Sequence, residues 1–280
     1  MTFRLPACLA AFTAVLLVAA TPASAAPQQR GFAPSEEVDW YFASTFGTGV
    51  YRVGDHTVSV VRLPFEIGLR TPDDDRWGVR LKLPVTAGFH SLSDAFEDVV
   101  HRNVATLAFL PGIELEKEVA PNWWLKPAAS FGMAQDLVGG SHSTLYEIGV
   151  RSLWSRSFER MDFSLGNALL YAGNVAQDGL SQHLGVFSTG LNIIGPARGV
   201  LLDRAANIGV HLVHYAYFNR VDFLLDQTSR RSVDQQYEIA LTVGTYRPID
   251  ILGFEVQRIG LGVRFGEGLL ALRLVTGFLY

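Results

Sequence analysis

Among 280 residues there is one cysteine, Cys8, which leaves nothing from which to build a disulfide scaffold. Charge is sparse and nearly balanced: 23 Lys and Arg against 27 Asp and Glu give a formal net charge of −4. No basic run accompanies it, so nucleic-acid binding is not expected. No glycine-rich phosphate loop leads from a strand into a helix, and no cofactor or metal is expected. Long apolar runs are also missing. Beyond residue 25 none approaches the roughly 20 residues of a membrane-spanning helix. Yet 49% of the residues are hydrophobic and the mean hydropathy is +0.20. An apolar chain without a spanning helix is either a greasy soluble protein or a membrane β-barrel, which hides its apolar content by alternation.

The N-terminus reads MTFRLPACLAAFTAVLLVAATPASA. Arg4 is followed by an apolar stretch from about Leu9 to Ala20, a break at Thr21-Pro22, and the small residues Ala23-Ser24-Ala25. This is the form of a secretory signal peptide, residues 1–25, cleaved after Ala25. Cys8 precedes the apolar stretch, so a lipid anchor is not expected, and it leaves with the signal. Losing Arg4 takes the formal charge from −4 to −5. Residues 26–37 then form a short periplasmic segment, and 38–280 form one domain with no internal repeat or linker.

From Val38 onward the dominant period is two. Leu63, Phe65, Ile67 and Leu69 alternate with Arg62, Glu66 and Arg70, and Ile259, Leu261, Val263 and Phe265 alternate with Arg258 and Arg264. Such runs define about twelve strands: 38–53, 56–70, 77–91, 104–118, 123–137, 143–156, 161–174, 181–194, 204–219, 234–247, 254–265 and 269–280. Most reach the 9–11 residues that cross a bilayer when tilted. Short connections such as 71–76 and 119–122 alternate with longer polar ones at 91–103, 173–182 and 219–234. The connections at 195–203 and 247–253 belong to the short set, although the first is long for it. Short helical turns are expected at 94–100 and 221–226. The fold class is all-β, a single antiparallel up-and-down transmembrane β-barrel.

Alternation alone also fits a soluble sandwich or barrel with an apolar interior. Three features turn the apolar face outward. Glycines such as Gly68, Gly88, Gly149, Gly260 and Gly262 sit on the charged side, as a crowded lumen requires. Aromatic residues gather at strand ends, which suits the membrane interface; the interface set is Trp40, Trp77, Trp123, Trp124 and Trp154, with Tyr215, Tyr217 and Tyr246. The last run, LLALRLVTGFLY, alternates apolar residues and finishes on an aromatic. Its residues Leu274, Thr276, Phe278 and Tyr280 are expected to face outward and to form the strand that the barrel-assembly machinery reads by edge addition. Closing against the first strand then leaves no backbone edge facing lipid. The expected location is the Gram-negative outer membrane, reached through the general secretory route, with outer-membrane lipids as partners.

The strand count, the closing hairpin FGEGLLALRLVTGFLY and the turn and strand VAPNWWLKPAASFG together resemble the solitary outer-membrane autotransporter-type β-barrels over residues 38–280. The resemblance implies a translocator-like barrel without a passenger. Twelve residues separate the cleavage site from the first strand, about 40 Å when fully extended, and no passenger is expected there.

The inward positions hold nine cations, Arg62, Arg70, Arg80, Lys82, Lys126, Arg151, Arg258, Arg264 and Arg273. Five anions face them: Glu66, Glu114, Glu116, Glu147 and Glu238. Two readings follow, a salt-bridged structural barrel and a narrow passive pore favouring anions. An outer-membrane lipid-acting enzyme, a phospholipase or deacylase, is the alternative; His142 would serve it, but a polar hairpin explains His142 equally well. His211 and His214 are three apart on a strand and face opposite sides, so they do not form a metal pair. Asp73-Asp74-Asp75 reads as a solvated turn. No catalytic residue is expected.

Overall fold

The computed structural model describes residues 47–53, 56–90, 106–137, 140–176, 181–201, 204–224, 230–251, 254–278 and 280. All belong to the unit Val38–Tyr280. The strands are β1 (Gly49–Val53), β2 (His56–Arg70), β3 (Gly78–His90), β4 (Thr106–Phe109), β5 (Gly112–Ala120), β6 (Trp123–Asp136) and β7 (His142–Phe158). They continue as β8 (Met161–Ala176), β9 (Ser181–Leu201), β10 (Arg204–Leu224), β11 (Arg230–Ile251), β12 (Phe254–Gly266) and β13 (Leu269–Val275). Sequential strands pair antiparallel, and β1 pairs with β13 from Gly49↔Arg273 to Val53↔Leu269, which closes the sheet. Closure removes the exposed edges that a membrane would not tolerate.

β4 and β5 are one stave with a two-residue gap. The β3 register is the same on both sides of it, Val85↔Phe109 and Leu81↔Ile113. Pro111 has no N–H to give and Pro84 lies across from the gap, so the ladder thins there. Leu110 N still donates to Pro84 O at 3.3 Å, and Phe131 N to Pro111 O at 2.9 Å. The barrel is therefore twelve-stranded.

Several connections are shorter than the sequence pattern suggests, because paired backbone continues beyond the apolar alternation. Residues 195–203 carry strand to Leu201, with Pro196 beside a register shift between Ala205 and Asn207. A bulge is where a strand tolerates proline. The stretch 219–234 is mostly hairpin rather than loop: Val221↔Val233 to Leu224↔Arg230 extend the ladder past a shift after Ala216. A helical turn at 221–226 is thereby replaced by strand as far as Leu224. Residues 247–251 likewise belong to β11, past a shift between Gly244 and Ile249. The connection 91–103, the turn at 94–100 and the first part of strand 38–53 lie outside the described residues. The last hairpin turns on Glu267 (φ 46°) and Gly268 (φ 89°), the positive pair of a two-residue turn that matches strand twist.

The sheet is inside-out. Leu63, Phe65, Ile67, Ile148, Leu169, Leu241, Leu261, Leu270 and Leu272 are exposed on its outer face, while the buried polar residues Glu114, Thr242, Glu238 and Arg264 lie within. Two aromatic belts edge the outer band. At the short-turn end Trp123 opposes Trp154, and the Trp123 indole N–H donates to Ser152 Oγ at 2.7 Å. Toward the other end lie Tyr146, Tyr171 and His183, and the stack His214, Tyr237 and Phe265. Eight residues of β7 separate Tyr146 from Trp154, about 26 Å along the strand. At the usual tilt that is about 20 Å of height, close to the apolar band of an outer-membrane barrel.

Candidate functional site

The interior is the place where this sheet brings chemistry together. Cross-strand register puts Arg62 opposite Thr86, Glu66 opposite Lys82, Lys126 opposite Arg151, Glu147 opposite Ala172, Glu238 opposite Arg264, and Arg258 opposite Gly244. These are inner-face positions on the same parity as the buried polar residues. Arg80, Glu114, Glu116 and Arg273 share that parity on their strands, whereas Arg70, expected to face inward, lies past a register shift and opposes the outer-face position Val79.

The charges pair locally. On the β2–β7 wall, Arg80 reaches Glu116 at 3.2 Å and Glu66 at 3.8 Å, Lys82 lies 4.0 Å from Glu147, and Arg151 is bonded to Glu114. Arg70 Nε donates to Trp77 O at 2.7 Å. Around the β11–β13 seam, Arg273 is bonded to Glu238, and Tyr215 OH donates to Glu238 Oε2 at 3.1 Å. Arg264 sits 3.8 Å over the Tyr215 ring and donates to Gln236 and Tyr217. Arg258 donates to Asn207. Neutral oxygens and a ring thus take part in holding two of the seam arginines, a way to keep guanidinium groups buried.

The same parity also reaches three acidic residues that the sequence pattern left unassigned. Asp136 opposes buried Thr106, Asp162 opposes Ile194, and Glu118 opposes Trp124. They sit at strand ends, where the apolar alternation has faded; only counting parity back from mid-strand would have found them.

The histidines face as their spacing requires. His211 is buried inside, its Nε2 3.0 Å from Thr242 Oγ1, whereas His214 stacks outside on Tyr237. His142 is exposed at the start of β7 opposite Gln135. Asp73 caps its own turn, accepting from the backbone N–H of Asp75 at 3.1 Å and of Arg76 at 2.7 Å. Among the described residues no group of three or more His, Cys, Asp or Glu is arranged to hold a metal.

Two groups of aromatic residues depart from the outward placement. Trp124 opposes Leu153, an inner-face residue, so of the adjacent pair only Trp123 faces out; neighbours on a strand cannot share a face. Tyr215 and Tyr217 also face inward, drawn by Arg264 and Gln236. Trp40 lies outside the described residues.

The larger correction concerns residues 276–280. Leu270, Leu272 and Leu274 face outward, but β13 stops at Val275. Thr276 is exposed, while Phe278 is half-buried and Tyr280 only 6% exposed, packed with Val186, Val213 and Tyr215 inside the barrel. Leu153, Ala168, Leu170 and Tyr217 complete this apolar patch. Phe278 stands 5.5 Å from the His211 ring and 4.9 Å from Tyr280. The Phe278 and Tyr280 rings are therefore not an outward interfacial anchor. Lipid and the inner patch are both apolar, so alternation could not choose between them. What distinguishes the inner patch is close packing against bare backbone.

The interior accordingly has a charged wall on β2–β7, a small and apolar wall on β8–β10, and an arginine-rich seam joining them through β11–β13. No protein-family model matches the chain and no curated protein is similar to it, so the fold and this interior carry the functional reading.

Proposed function

We propose that the protein is an integral outer-membrane barrel of the autotransporter-translocator type without a passenger, acting as a structural barrel with at most a narrow passive passage. The observation that carries this reading is the inverted polarity: an apolar outer face between two aromatic belts encloses paired charges. A soluble barrel of the same alternation would put the ion pairs in water and the leucines inside. Twelve strands enclose more space than side chains of an eight-stranded barrel can just fill, and less than a porin channel. Arg80 keeps 43% of its side chain exposed on the charged wall, which gives water and small ions a route along β2–β7. In mid-lumen Arg62, Arg80, Lys82, Lys126 and Arg151 face Glu66, Glu114, Glu116 and Glu147, so such a route favours anions weakly. Under this reading, the outward leucines of β13 serve edge recognition by the assembly machinery before closure.

Purified protein in planar bilayers is expected to give small or undetectable conductance, with anion preference where current is seen. Lys82→Ala with Lys126→Ala should abolish the preference. Arg264 and Arg273 are poorer targets because both are tied into the seam. A large cation-selective conductance from the unmutated protein would refute the passage reading, and absence of a heat-modifiable gel band would refute the membrane barrel itself.

A further inference from the structure

Two glycines face each other across the middle of the β8–β9 ladder, Gly166↔Gly190. Glycine in a strand interior is costly and has no side chain to pack, so a directly opposed pair calls for a reason. The reason lies above it. A Cβ added at Gly166 would stand 2.7 Å from Tyr280 Cβ, and one at Gly190 would stand 2.7 Å from Tyr280 Cε2 and 3.2 Å from the Phe278 ring. Ser188 and Ala168, opposite one another on the same two strands, continue the strip of small inner residues, and Leu153, Leu170, Val186 and Val213 border it. The strip is a ring-sized recess, and it is filled.

The filling residues come from the opposite side of the lumen. β13 pairs with β12 and β1, whereas β8, β9 and β10 lie three to five strands further round the twelve-stranded circuit. Residues 276–280 must therefore cross the interior to lay Tyr280 on the β8–β9 glycines. Gly277 gives the backbone its freedom at the departure point, with nothing within 4 Å of an added Cβ. The segment passes His211 on the way, and its aromatic pair covers the sector in which no ion pair is found among the described residues.

We propose that the recess on β8–β10 is an aromatic-binding site, that its occupant is Tyr280 with Phe278 of the same chain, and that residues 276–280 are an internal plug closing the barrel after it has folded. The inference rests on the membrane-barrel reading. It is compatible with recognition of this strand during assembly, because the segment reaches the recess only once β8–β10 have formed. Both occupants are aromatic and none of the described residues lining the recess is charged, so the chemistry selects a flat apolar ring rather than an ion.

The test is a cysteine pair, Gly166→Cys with Tyr280→Cys, in a chain whose one native cysteine is Cys8. A disulfide needs Cβ atoms about 3.5–4.5 Å apart, so the segment has only to back away by about 1 Å. Under mild oxidant the heat-modifiable form should cross-link 166 to 280, shown by mass spectrometry. A folded, heat-modifiable double variant that does not cross-link, with the thiol introduced at position 280 open to a bulky maleimide, would overturn the proposal. Should the double variant fail to assemble, Gly190→Leu decides the matter, since it keeps residues 276–280 intact. Displacing both rings from the recess should turn an undetectable conductance into a measurable one. A heat-modifiable Gly190→Leu barrel as closed as the unmutated protein would also overturn the plug. Loss of heat-modifiability in the unmutated protein would instead strike the barrel reading on which the proposal stands.

Discussion

The β2–β7 wall and the β8–β10 wall face the same lumen and are built by the same alternation, yet they solve opposite problems. On the first, Glu116 finds a cation on the neighbouring strand, Glu114 one two strands away and Glu147 one three strands away, and Arg80 stays half in water. On the second, Gly166, Gly190, Ala168 and Ser188 leave a hollow, and Tyr280 fills it. A charged wall satisfies itself within its own sector, through pairs one to three strands apart. An apolar wall of small residues cannot, and takes its cover from a segment distant in the circuit. Between them the seam is a third case: Arg273 and Glu238 are both almost fully buried and depend on each other.

That ordering by hydration can be broken by mutation. The largest effect should come from the seam. Glu238→Ala leaves Arg273 buried without its carboxylate, and the expected cost is about 3–5 kcal/mol, read as a shift of the urea midpoint of the heat-modifiable form. Next, Leu261→Arg places a charge on an outer-face site that is 59% exposed to the surroundings of the barrel. If lipid lies there, the variant loses about 2–4 kcal/mol; an unchanged midpoint would mean that water does. Glu114→Gln, on the charged wall but only 2% exposed, keeps the shape and removes the charge facing Arg151. A loss of about 1–3 kcal/mol is expected, measured by the same unfolding curve. The smallest effect belongs to Glu66→Gln. Its side chain and that of Arg80 are 37% and 43% exposed, and Arg80 keeps Glu116 as a partner, so solvent screens the lost pair and the loss should stay below about 1 kcal/mol. If Glu66→Gln cost as much as Glu238→Ala, the lumen would be dry on both sides and the contrast between the walls would collapse.

Most of the barrel is legible in the chain because period two is a property of the backbone. Once Leu261 and Val263 face out, Arg258 and Arg264 have no choice but to face in. The same rule assigned all fourteen charges to one face, from which Arg70 departs past its register shift, and applied strictly it would have separated Trp123 from Trp124. Strand ends were harder to read. β10 and β11 continue through residues 221–224 and 230–233 although the apolar pattern has lapsed there, because ladder hydrogen bonds are made by backbone, not by side-chain polarity. Asp136 and Asp162 escaped notice for that reason.

Residues 276–280 mark the boundary between the two kinds of information. Residue order alone dictates that the chain forms alternating strands, that one face is apolar and the other charged, and that the last strand carries Leu270, Leu272 and Leu274 outward. It does not dictate where Phe278 and Tyr280 go, since alternation specifies only an apolar environment and this fold offers two. Lipid gives a ring a fluid surface, while the recess over Gly166 and Gly190 gives it a fixed one at van der Waals distance, and dispersion falls steeply with any gap. That recess exists only when β8, β9 and β10 stand side by side opposite β13. The choice was therefore made by tertiary structure, through a fit between residues far apart in the chain.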